Sequence, residues 1–161
     1  MFKIELLSLC KQTVCISLFQ ETFTFDLIVF SADTTFFREE ETIAKGLLNF
    51  VTMVTNWKVK LEALTIGQED FLPFDYEDQY IGFFLVKKLS ADGLSIQFAL
   101  TTFHNGETLN PSQVYVQRII NEPYQTFGES YRVERSQLIT AIDQSLMLLL
   151  NKLYLEKDTM H

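Results

Sequence analysis

The chain has little of what catalytic sites are usually built from. Histidine occurs twice, and His161 is terminal, which leaves His104 as the single internal imidazole. His104 precedes Asn105-Gly106 in a predicted turn, so a surface position is expected, with general-base use as the alternative. No Gly-x-Ser-x-Gly elbow surrounds any serine. Cys10 and Cys15 are the only cysteines, and no second Cys or His pair completes a tetrahedral set. Both are expected as reduced thiols, with no metal bound. Asp75, Glu77 and Asp78 lack the frame of a calcium loop. The six glycines are never closer than eleven residues apart, so no phosphate-cradling loop can be written through them. No cofactor is expected.

Other shortages bear on location and partners. No stretch reaches the roughly 18 uncharged apolar residues that a membrane span needs. Glu5 and Lys11 interrupt the apolar N-terminal stretch, and no small-residue cleavage site follows, which argues against a signal peptide. The expected location is therefore cytoplasmic, without membrane association. Basic residues are few, 13 against 21 acids, for a net charge of −8. Long-range repulsion then disfavours a nucleic-acid partner. Lys87-Lys88 and Arg132 with Arg135 are the only basic clusters.

What is present suits one globular domain over residues 1–161, with a frayed tail at about 156–161. Hydrophobic residues make up 47% of the chain and 15 are phenylalanine. Phe2 to Leu9, Thr13 to Phe19 and Phe23 to Phe30 alternate with period two and read as an antiparallel meander. The period then changes. Phe36, Phe37, Ile43, Ala44, Leu47, Leu48, Val51, Val54 and Trp57 follow helical spacing, with Thr34 or Thr35 as a cap. Lys58 to Glu62 returns to period two and is expected as a fourth strand. Tyr80 to Leu89 and Leu94 to Thr102 flank Asp92-Gly93, expected as a turn that tolerates positive φ. Val114 to Ile120 and Tyr131 to Val133 read as later strands. From Ser136 the stripe Leu138, Ile139, Ile142, Leu146, Leu149, Leu150 and Leu153 marks a closing helix. The predicted class is α+β: an antiparallel sheet of about six to eight strands, with a long internal helix and a C-terminal helix on one face. Expected core residues include Ile43, Leu47, Val51, Val54, Leu138, Ile142, Leu146 and Leu149.

Thr65 to Asp78 breaks the pattern with Gly67, Pro73 and five acids between Glu69 and Asp78. It reads as a long surface loop, and such loops are often functional. Glu69, Asp70, Phe71, Phe74, Asp75, Tyr76, Glu77 and Asp78 form the candidate partner-binding set. Aromatic rings would anchor a partner and carboxylates would steer a basic one. If these acids pair internally, the surface is to be sought near Tyr124 to Phe127. No catalytic residue is assigned. Acids are too numerous to single out a glycosidase-like pair.

An acidic single domain, early strands, the amphipathic segment Phe36 to Trp57, the strand pair around Asp92-Gly93 and the run Tyr131 to Leu138 into a last helix together resemble the small cytoplasmic immunity proteins of bacterial polymorphic toxin and contact-dependent inhibition systems. The likeness spans Phe23 to Leu150 in order and character and contains no diagnostic motif. It implies a non-enzymatic inhibitor that binds a cognate toxin domain, frequently a nuclease, and blocks its active site or substrate access. The partner would then be a protein, and the chain a monomer or homodimer. No family binding residues carry over, because these interfaces differ from pair to pair. Two other readings stand beside it: a hydrolase using carboxylates or His104, and a self-associating structural module.

Overall fold

The computed structural model describes residues 2–8, 13–18, 21–26, 39–77, 80–102 and 123–159. Among them lie seven strands and two helices. The strands are β1 (Phe2–Ser8), β2 (Thr13–Leu18), β3 (Glu21–Asp26), β4 (Glu69–Glu77), β5 (Tyr80–Lys88), β6 (Gly93–Thr101) and β7 (Gln125–Glu134). The helices are α1 (Glu39–Ala63) and α2 (Arg135–Thr159). The class is α+β with antiparallel pairing throughout. The strands form two sheets, β1-β2-β3 and β4-β5-β6-β7, rather than one.

The second sheet is the platform. Leu72 and Phe74 of β4, Phe84 and Val86 of β5, and Leu94 and Ile96 of β6 turn one face toward both helices. Alternation along each strand puts these side chains on one side of the pleat. Leu47, Phe50, Met53, Val54, Trp57 and Leu61 of α1 and Leu138, Ile142 and Leu149 of α2 complete the core. Ile16 and Leu18 join it from the first sheet. Phe23 of β3 meets the rings of Phe74, Phe84 and Phe98 at centroid distances of 5.0, 5.6 and 5.1 Å, so β3 reaches residues of three different strands. Leu47, Val54, Leu138, Ile142 and Leu149 are buried as the sequence predicts, while Val51 and Leu146 are partly buried against the same core.

Three local expectations change. Lys58 to Glu62 belongs to α1, not to a strand. Trp57, Leu61 and Leu64 continue the buried stripe at helical spacing, and Val59 points to solvent. Second, Gly93 has no positive φ; among the described residues Gly67 and Gly128 do. A Cβ on Gly93 would lie 2.6 Å from Ser90 Oγ. Ser90 Oγ accepts the Gly93 N–H at 2.9 Å, and Gly93 O accepts the Leu89 N–H at 2.8 Å. The turn therefore runs over Leu89 to Asp92, and a Cβ at position 93 would displace the Ser90 hydroxyl from its hydrogen bond rather than strain the backbone. Third, the last strand is ten residues long rather than three. The expected Thr34 or Thr35 cap, the strand Val114 to Ile120, and the side chain of Ile43 lie outside the described residues.

That same turn fixes an end of each helix. Lys88 Nζ, almost fully buried, donates to Leu64 O just past the C-terminus of α1 at 2.8 Å. Asp92 Oδ1 accepts the Ser136 N–H at 3.0 Å, and Asp92 Oδ2 accepts the Ser136 hydroxyl at 2.6 Å. Asp92 O also accepts the Arg135 N–H at 2.6 Å. A cation thus meets the negative end of one helix dipole, and an anion the positive end of the other. Orphan backbone groups at both ends are satisfied from a distance rather than by a local cap. The Ser136 hydrogen bonds, with help from the Arg135 and Lys88 charges, hold the Asp92 carboxyl below its ordinary value of 3.8.

Candidate binding surface

The segment expected as an acidic loop is strand β4, at the edge of the four-stranded sheet. Apolar side chains occur on both faces of this strand. Phe71 is 3% exposed, and it packs with Ile81, Phe83 and Ala99 on the outer face. Phe74 is fully buried on the helix-covered face. Neither ring is available as an anchor for a partner. The strand is held from three sides. Trp57 Nε1 donates to Pro73 O at 3.0 Å inside the core. Lys60 Nζ donates to Phe71 O at 2.9 Å and to Asp70 Oδ1 at 3.2 Å. Lys87 Nζ donates to Glu69 Oε1 at 2.8 Å. The loop reading of Glu69 and Asp70 is therefore corrected: both carboxylates are paired within the chain. Proline at position 73 is tolerated because β4 is an edge, and a bulge follows between Pro73 and Asp75. The side chains of Asp75, Tyr76 and Glu77, the whole of Asp78, and His104 lie outside the described residues, as does Cys10. Cys15 is a buried free thiol, with Sγ 3.7 Å from Ser17 Oγ.

The two lysines that hold β4 differ in environment. Burial pushes the Lys60 ammonium below its ordinary value of 10.5, and Asp70 pulls it partly back. Lys87 is exposed, and its hydrogen bond and charge contact with Glu69 raise it instead.

The opposite edge, β7, presents the other surface. Among the described residues it has a neighbour on one side only, and Gln125 through Ser130 are all exposed. Tyr124 is 39% exposed and Phe127 36%. The two rings sit on opposite faces of the sheet. Tyr124 stands edge-on to Phe71 at 5.6 Å and to Phe83 at 5.8 Å, on the outer face. Phe127 packs on Phe98 at 5.7 Å, on the helix-covered face. Tyr124 is backed by the buried rings of Phe71 and Phe83 and Phe127 by the partly buried Phe98, and each offers its remaining surface to solvent. Thr101 Oγ1 donates to Pro123 O at 2.8 Å and fixes the approach to this corner.

Beyond Phe127 the ladder breaks. Phe98 opposes Phe127, but Ile96 opposes Tyr131, so three β7 residues face Gln97 alone. Gly128 takes φ +66° there, and Gln97 Nε2 donates to its carbonyl at 3.1 Å. Ser95 and Ser130 share a short hydroxyl contact across the bulge. Glu21 of β3 reaches the same place: a Cβ on Gly128 would lie 3.1 Å from its Oε1. Tyr131 donates a hydrogen bond to Glu21. Lost hydration, then the Glu21 and Glu129 charges, push its phenol above 10.0. The bulge separates the regularly paired Gln125–Phe127 stretch from the regularly paired Tyr131–Glu134 stretch.

A separate groove of about 930 Å³ lies at the other end of β7. Leu18, Leu94, Val133 and Leu138 are among its lining. Ser136, one of its lining residues, already donates its hydroxyl hydrogen bond to Asp92. No group of three or more His, Cys, Asp or Glu side chains placed to hold a metal occurs among the described residues. No described helix is long and apolar enough to cross a membrane. No family model, curated protein or solved structure matches the chain.

Sequence reasoning named the Tyr124–Phe127 corner only as a fallback. The available signal was two aromatics beside polar Gln125 and Thr126, just after Pro123. It does not by itself say that the rings flank an edge.

Proposed function

We propose that the chain is a non-enzymatic binding protein that inhibits a cognate, basic toxin domain by covering its active site or its route to substrate. The observation that carries this reading is the β7 corner, where Tyr124 and Phe127 flank an exposed edge, one on each face. Half-exposed aromatic rings with rigid backing lose little side-chain freedom when covered, which is why such rings dominate binding energy at protein interfaces. Among the described residues the strand between them has a neighbour on one side only, and its other side suits an added strand. The net charge of −8 favours a basic partner and speeds its approach. A nuclease domain has the surface charge this requires, because it must itself attract a polyanion.

The test co-expresses the chain with toxin domains encoded beside its own gene. A one-to-one complex that relieves toxicity is the expected result. Tyr124→Ala with Phe127→Ala should weaken that complex at least roughly tenfold, about 1.4 kcal/mol, while far-ultraviolet circular dichroism stays unchanged. Failure of every neighbouring product to bind would overturn the inhibitor reading. A complex indifferent to both substitutions would place the interface elsewhere.

A further inference from the structure

We draw no further inference here: the strongest candidate, the groove of about 930 Å³ between the β5–β6 turn, the end of β7 and the first turns of α2, has an apolar floor, but nothing in the structure shows what covers it.

Discussion

Strands β4 and β7 are the two edges of one sheet, and they are finished in opposite ways. Both carry a bulge, and β4 adds a proline, so each edge is blunted against indiscriminate pairing. From there they diverge. On β4 the rings of Phe71 and Phe74 are buried on opposite faces, and lysines from α1 and β5 neutralise Glu69 and Asp70. On β7 the rings stay half out, and no residue from Gln125 to Ser130 is covered. The sequence carries more acid and more aromatic character in the first segment, yet the second keeps its rings accessible. Composition measures what a segment owns; exposure depends on what its neighbours have already used.

The contrast can be broken most forcefully at the β4 core. Phe74→Ala should cost about 3–5 kcal/mol, as for other fully buried rings, with urea unfolding as the readout. A loss below about 1 kcal/mol would mean that β4 is not held as described. Trp57→Phe keeps most of the packing but leaves Pro73 O without its donor, so about 1–3 kcal/mol should be lost. Asp70→Asn should cost about 1–2 kcal/mol, because the half-buried Lys60 ammonium loses its charged partner. Adding Lys60→Met should recover part of that loss. Glu69→Gln is the control: its pair with Lys87 is solvent-exposed, so the unfolding midpoint should hardly move. On β7, Phe127→Ala should cost only about 1–2 kcal/mol, since 36% of the residue is already exposed.

Acid should act at the junction between the sheet and α2. Asp92 sits below 3.8 in the folded chain, so its contribution is present above that pH and is lost as pH falls through the folded-state value. Asp92→Ala should therefore lower the melting temperature at pH 7. The gap to the wild type should narrow progressively below about pH 3.8. A gap that stays constant with pH would assign the effect to packing instead.

Much of the architecture was legible because periodicity survives tertiary context. The spacing Leu47, Val54, Trp57 and the stripe Leu138, Ile142, Leu149 located both helices and the face they bury. The early meander followed from strict alternation in Ile4, Leu6, Val14 and Ile16. The misreadings share a cause. In Glu69 to Glu77 the run Phe71-Leu72-Pro73-Phe74 is apolar on both faces, which hides the alternation that marks a half-buried strand. Gly67 and Pro73 then looked like loop signals, though one shapes the exit from α1 and the other occupies an edge. In Lys58 to Glu62 two lysines on either side of the buried Trp57–Leu61 stripe imitated a strand: Lys58 reaches Asp143 on α2, and Lys60 reaches β4. The β7 corner was the least legible. Its exposure depends on Phe71, Phe83 and Phe98 filling the space beneath, and these lie far away in sequence.

The turn at Leu89 to Asp92 has a practical consequence for how this chain can be edited. Short exposed turns are the usual place to open a protein, whether for a tag, a new terminus or an inserted domain. Here Lys88 and Asp92 bracket the turn, one holding the exit of α1 and the other the start of α2. An insert between Ser90 and Ala91 would separate the two charges and lift Ser90 from its hydrogen bond to Gly93. One cut at the surface would then unfasten two 25-residue helices at once. For this chain, the turn that looks most dispensable from outside is where tolerance to insertion should be lowest.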